Sequence, residues 1–314
     1  MKVGDRMYKS EDLTILENCI NIGMDLLEKN KTEQAKKFAL KAYKLIKLIQ
    51  IDDENLLLDV VYLIEGINHL DLALELYDYI LSKNEYSELA YYGKALIYEE
   101  KGLVELAKEN YKNTIKCNPD NLQAIFFLAY LFDENGDKKD AEIWYKKVLE
   151  IEYYDFWANL NLGSLYEETS QLEKSLHHTK IAYEVDSSHY LVLFNLGVIY
   201  GRLNNALKAR LFYQKSIKAN SSYGYSFLNL AIFHKNKGYY KEGIEVLKRG
   251  IYNNPEEAYL YYNLACFYIK INDLEKAVNE LIKCIEINSN FKEYALKDKD
   301  LDILRTNERY NCYF

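Results

Sequence analysis

The chain has 314 residues, with 40 Lys or Arg against 48 Asp or Glu, a net charge of −8, 49% apolar residues and 28% charged residues. The acidic balance argues against a nucleic-acid or anionic-membrane binder, which needs a basic face for phosphates, and 13 Gly with 2 Pro are too few for a disordered chain. Five scattered cysteines, Cys19, Cys117, Cys266, Cys284 and Cys312, do not read as a disulfide framework and fit a reducing, cytoplasmic setting.

Residues 1–15 form an N-terminal segment that leads into the first helix. They contain no apolar core of a secretory signal, and no 18-residue apolar run occurs later in the chain, so neither export nor a membrane span is expected. From about residue 16 an internal repeat takes over. Asn161-Leu162-Gly163, Asn195-Leu196-Gly197, Asn229-Leu230-Ala231 and Asn263-Leu264-Ala265 recur in steps of 34 residues. The two prolines, Pro119 and Pro255, lie four such steps apart, and Gly102, Gly136 and Gly238 share one phase. Units are expected to start near 16, 54, 88, 122, 156, 190, 224 and 258. The first carries Gly23, Ala35, Ala39 and Ala42 in phase, and its second helix should run one turn longer, through Leu45–Ile49. The phase breaks after residue 291. There Phe291–Leu296 reads as a short helix, and Asp298 or Asp300 could cap another through Leu301, Ile303, Leu304 and Arg305. Residues 292–314 are thus expected to be a capping segment.

Within the units, numbered so that both prolines fall at position 32, residue size is periodic. Position 8 is small (Ala95, Ala129, Gly163, Gly197, Ala231, Ala265), as is position 20 (Ala73, Ala107, Ala141, Ser175, Ala209, Gly243, Ala277). Position 24 is large in most units (Tyr77, Tyr111, Tyr145, Tyr213, Leu247, Leu281). Two helices cross closely only where small residues meet, and large side chains then fill the space beside the crossing. Gly or Asn at position 15 suits a helix C-cap, and Pro at position 32 stops the second helix. On this reading the excess of tyrosine, 31 in all, is mostly core filling.

The pattern resembles the tetratricopeptide-repeat family. Asn161-Leu162-Gly163…Tyr166…Ala182 and Leu196-Gly197…Tyr200…Ala209…Tyr213 carry the likeness, which covers about residues 16–291. It departs from the family in having Pro at position 32 only twice and His234 in place of an aromatic at position 11. The resemblance implies an all-α, right-handed superhelical array of about eight helix–turn–helix units closed by a short helical C-terminal cap.

Little in the sequence supports catalysis. There is no phosphate-binding glycine loop. His69, His177, His178, His189 and His234 form no zinc motif, and adjacent His177 and His178 fall on different helix faces. Cys266 and Cys284 lack a second pair to complete a four-ligand site and read as free thiols. No cofactor, metal or catalytic residue is expected.

The resemblance also places positions 2, 5, 9 and 12 of each first helix on a concave groove, with position 6 beside them. Position 6 is Asn161, Asn195, Asn229 and Asn263 in four successive units. An amide can donate to and accept from a peptide unit at once, so such a row could clamp an extended backbone. It resembles the asparagine ladder of the O-linked N-acetylglucosamine transferase array; local packing is the alternative. Positions 2, 5 and 9 add Tyr62, Tyr92, Phe126, Tyr130, Trp157, Phe194, Tyr225, Tyr259 and Tyr262, more aromatic surface than closing the array requires, although packing between units would also employ it. Position 5 lacks the lysine by which relatives hold chaperone tails, so a heat-shock cochaperone is not expected.

Charge is uneven. Residues 51–200 hold 28 acids and 12 bases, and residues 201–250 hold 2 acids and 10 bases. At positions 12 and 13, Glu99, Glu134 and Glu168 give way to Arg202, Lys235 and Lys270. Either these are solvated helix ends or the groove is polarised and orients its ligand. The expectation is a non-enzymatic protein-interaction scaffold binding an extended peptide or partner helix. The alternatives are self-assembly as a homo-oligomer, acidic region to basic region, and a peptide-responsive regulator of an effector.

Overall fold

The computed structural model describes residues 3–306 and Tyr310. These residues form seventeen α-helices and one 3₁₀ helix, with no strand among them. The chain divides after Ile151 into two compact units.

The first unit contains α1 (Val3–Glu28), α2 (Thr32–Ile49), α3 (Glu54–Gly66), α4 (Leu70–Lys83), α5 (Glu88–Glu100), α6 (Val104–Cys117), α7 (Leu122–Glu134) and α8 (Lys138–Ile151). The second contains α9 (Phe156–Glu168), α10 (Leu172–Val185), α11 (Tyr190–Arg202), α12 (Ala206–Ala219), α13 (Gly224–Asn236), α14 (Tyr240–Asn253), α15 (Ala258–Lys270), α16 (Leu274–Ile287) and α17 (Asn290–Lys297), followed by the 3₁₀ helix Lys299–Thr306. From α3 to α16 a 13-residue helix alternates with a 14-residue one. The odd-numbered helices from α3 to α15 begin at Glu54, Glu88, Leu122, Phe156, Tyr190, Gly224 and Ala258, one sequence period apart.

The crossings sit where the small residues fall. Ala95, Ala129, Ala231 and Ala265 at position 8 are fully buried, as are Ala73, Ala107, Ala141, Ser175, Ala209 and Ala277 at position 20. A methyl group added at Gly163 would lie 2.4 Å from the Thr179 hydroxyl, so α9 and α10 approach as closely as a hydrogen side chain allows. Tyr111 and Tyr145 fill the adjoining space with no exposed surface.

Each hairpin turns through position 15. Asn30, Asn68, Gly102, Gly136, Ser170, Asn204, Gly238 and Asn272 all have positive φ, from 56° to 84°. Glycine takes this left-handed conformation without cost and asparagine takes it with little. The return loops end on N-caps in the earlier repeats. Asp53, Ser87, Asn121 and Asp155 each accept a backbone N–H from the first turn of the following helix, which satisfies an otherwise orphaned donor.

Both ends of the chain depart from the repeat. Helix α1 already runs from Val3, and α2 has 18 residues. At the other end, Leu301 and Leu304 are both fully buried. They lie three residues apart, the period of a 3₁₀ rather than an α-helix, and Asp298 starts the turn by accepting the Asp300 N–H at 2.9 Å. No described helix is long and apolar enough to cross a membrane.

Candidate functional site

In the second unit, α9, α11, α13 and α15 carry the row of amides. Asn161, Asn195, Asn229 and Asn263 are all half-buried. Asn195 donates to the Ser164 hydroxyl of α9 at 2.8 Å, which ties one repeat to the next. Asn229 and Asn263 each donate one N–H to their own helix, to Tyr225 O at 3.0 Å and Tyr259 O at 2.8 Å. Since an amide has two N–H groups and a carbonyl, each keeps further capacity.

A chain of ring contacts flanks the amides. It runs from Trp157 to His189 (5.5 Å between centroids), to Tyr190 (5.1 Å), Tyr223 (5.0 Å), Tyr225 (5.7 Å) and Tyr259 (4.7 Å, stacked). Phe194 joins it against Tyr223 at 5.2 Å. Trp157 and Tyr225 remain 48% exposed, so the track presents rings to solvent. Burial, then the nearby Tyr190 and Tyr225 hydroxyls, push the Tyr223 phenol up to about 12, so it stays a neutral donor. His189 and Tyr223 were missed in the sequence. They occupy the N-cap position, where the earlier repeats place Asp, Ser or Asn, and neither makes a side-chain cap. The signal was an aromatic ring in a capping slot.

In the first unit the expected aromatics divide. Tyr92 leans on Tyr111 at 5.9 Å and Phe126 packs edge-on against Tyr145 at 5.9 Å, so both extend the core outward. Tyr130 is exposed, and its phenol is pushed up by burial and by the charges of Glu134, Glu99 and Asp133.

The charged residues have several roles. Glu99 accepts the hydroxyl of buried Tyr111 at 2.7 Å, while Glu134 and Glu168 are exposed. Arg202 donates to Glu167 Oε1 at 2.6 Å, to the Glu167 carbonyl and to the Ser170 hydroxyl, closing an ion pair between adjacent repeats. Lys235 is half-buried and has no acid partner among the described residues. Lys270 pairs with Asp300 at 3.5 Å, and Tyr262 donates its hydroxyl to Asp298. Phe291 and Tyr294 of α17 pack against Tyr262, tilted at 5.6 Å and edge-on at 5.2 Å. The chain's own tail therefore engages this face of α15. Beneath it, burial and the charge of Asp298 push the Cys266 thiol up to about 12. Cys19, Cys117, Cys266 and Cys284 are free thiols; Cys312 lies outside the described residues.

The fold has known counterparts. A tetratricopeptide-repeat family model matches residues 190–223 and 258–291, and a second model of the same description matches 92–153. The chain belongs to the tetratricopeptide-repeat family. Arrays of this family serve as protein-interaction scaffolds. Among solved structures, a tetratricopeptide repeat protein from Parabacteroides merdae superposes with a TM-score of 0.61 at 15% identity, over 79% of this chain and 96% of that one. YrrB, described as a TPR protein with an unusual peptide-binding site, gives 0.52 at 22% identity, over 58% and 94%. Pseudomonas aeruginosa pilF gives 0.56 at 18%, over 72% and 99%. At these identities the likeness is one of fold. No curated protein sequence matches the chain.

Proposed function

We propose that the chain is a non-enzymatic interaction scaffold whose second unit binds an extended peptide along the face of α9, α11 and α13, up to the edge of α15. The observation that carries this reading is the row of half-buried amides, Asn161, Asn195, Asn229 and Asn263, beside a continuous track of partly exposed rings. The amides hold backbone, which every peptide has, and Trp157, Phe194 and Tyr225 take apolar side chains. Exposed Glu168 at one end favours basic ligand residues, and Lys235 favours acidic ones at the other. Arg202 contributes less to this polarity because Glu167 already neutralises it. Tyr262 and Lys270 are engaged by the tail, so the ligand's path ends before them. In the first unit, Tyr92, Phe126 and Tyr130 with Glu99 and Glu134 offer a second stretch suited to apolar and basic side chains.

The test uses peptides selected on the full chain from a random library. One hydrogen bond contributes about 0.5–1.5 kcal/mol net. Replacing all four asparagines by alanine should then cost about 2–6 kcal/mol, a loss of roughly thirtyfold or more in affinity, with helical circular dichroism unchanged. Trp157→Ala should weaken the same peptides. Parental affinity in both folded variants would place the ligand elsewhere.

A further inference from the structure

Four repeats carry tyrosine at position 24, and three of them satisfy its hydroxyl in one way. Tyr77 donates to Glu65 at 3.0 Å, Tyr111 to Glu99 at 2.7 Å and Tyr145 to Asp133 at 3.5 Å. Each acceptor is the position-12 acid of the same repeat. Burial forces this arrangement, because a phenol removed from water needs an acceptor.

The fourth, Tyr213, is 6% exposed, and its hydroxyl has no hydrogen-bond partner among the described residues. Its position-12 residue is Gly201. Where the carboxylate stands in the other three repeats, this one has a cavity of about 260 Å³, lined by Gly201, Asn204, Tyr213, Asn229, Phe233 and Lys237. The space is real on the Gly201 side: an added Cβ would lie 3.8 Å from the Tyr213 hydroxyl and 3.9 Å from the Ala209 methyl, ordinary contact distances.

We infer that this cavity is a carboxylate-binding site, in which a ligand supplies from outside the acid that three other repeats carry within the chain. The internal comparison identifies the ligand chemistry: the same tyrosine in the same repeat position takes a carboxylate three times out of three. The surroundings agree. Lys237 lines the cavity, residues 201–250 hold 10 bases and 2 acids, and Glu167, the acid whose charge acts on the Tyr213 phenol, is paired with Arg202. Burial raises the Tyr213 phenol well above its ordinary value, so it is a proton donor at neutral pH. Asn229 belongs both to the cavity wall and to the amide row, so a peptide held along the row would bring an acidic group to this point. The inference rests on the groove reading in that respect. A side-chain carboxylate and a C-terminal carboxylate present the same chemistry here.

The experiment titrates the isotopically labelled full chain with N-acetylglutamate α-amide, with N-acetylalanine as free acid, and with neutral N-acetylglutamine α-amide, following the backbone N–H signals of Gly201, Asn204 and Lys237. Saturable shifts are expected from one or both acids and none from the neutral amide; which acid responds identifies the source. Tyr213→Phe should weaken the response about tenfold or more, as for a hydrogen bond to a charged group. Gly201→Glu should abolish it by filling the site from within, and should raise the thermal midpoint. No saturable shift from either acid overturns the assignment, as does an equal response to the neutral amide or a parental response in Tyr213→Phe. If a selected peptide depends on Asn161 and Trp157 yet binds Tyr213→Phe normally, the carboxylate site falls and the groove reading stands.

Discussion

The close crossing of α9 and α10 at Gly163 allows a prediction whose sign depends on one neighbouring atom. In Gly163→Ala the new methyl would meet the Thr179 hydroxyl at 2.4 Å and the Thr179 backbone nitrogen at 3.2 Å. Only the first distance is impossible. Overpacking of this kind costs about 1–3 kcal/mol, and the higher helix propensity of alanine returns about 1 kcal/mol. The net is a loss of about 1 kcal/mol in the parent. The Thr179 hydroxyl is buried with no hydrogen-bond partner among the described residues, so Thr179→Ala removes the obstacle without breaking a bond. In that background Gly163→Ala should stabilise by up to about 1 kcal/mol, since only the propensity gain remains. The coupling is then about 1–3 kcal/mol, well above the additivity expected of independent sites. Urea unfolding followed by circular dichroism gives the four midpoints of the cycle. An equal effect of Gly163→Ala in both backgrounds, within about 0.3 kcal/mol, would refute this crossing geometry.

Two further outcomes follow from the same packing. Tyr111→Phe removes the donor to Glu99 and should cost about 0.5–1.5 kcal/mol, whereas Tyr213→Phe, whose hydroxyl bonds nothing among the described residues, should change unliganded stability far less; equal losses in chemical denaturation would contradict the pairing of positions 12 and 24. Releasing the tail with Leu301→Ser and Leu304→Ser should speed alkylation of Cys266 by about tenfold or more, because the thiolate is the reactive form and burial suppresses it, while fully buried Cys284 stays slow; mass spectrometry of the labelled chain separates the two thiols, and an unchanged Cys266 rate would show that the tail does not cover it.

The fold was legible because its determinants are single-residue choices repeated on one period. Small residues at positions 8 and 20 mark the crossings in the sequence as they do in the structure, and the left-handed turn at position 15 uses Gly102, Gly136, Gly238, Asn68, Asn204 and Asn272, the Gly or Asn that the spacing assigns to the cap, with Ser170 alone departing from it. The site was less legible because its chemistry lies in pairs. Position 12 reads as an acidic stripe and position 24 as core tyrosine; only the structure shows that Glu65, Glu99 and Asp133 are acceptors for Tyr77, Tyr111 and Tyr145. Read column by column, Arg202 and Lys270 are groove cations, yet each meets an acid from another segment, Glu167 and Asp300. Those partners depend on how long side chains bridge neighbouring elements, which no spacing rule specifies.

The central claim is that four amides on successive first helices hold a ligand backbone. The most direct measurement is the side-chain amide spectrum of Asn161, Asn195, Asn229 and Asn263, assigned by single substitution, during titration with a peptide selected on the full chain. The account predicts that all four signals shift together along one binding curve that also quenches Trp157 fluorescence. Unmoved amide signals, with shifts confined to the exposed sides of α10, α12 and α14, would contradict it.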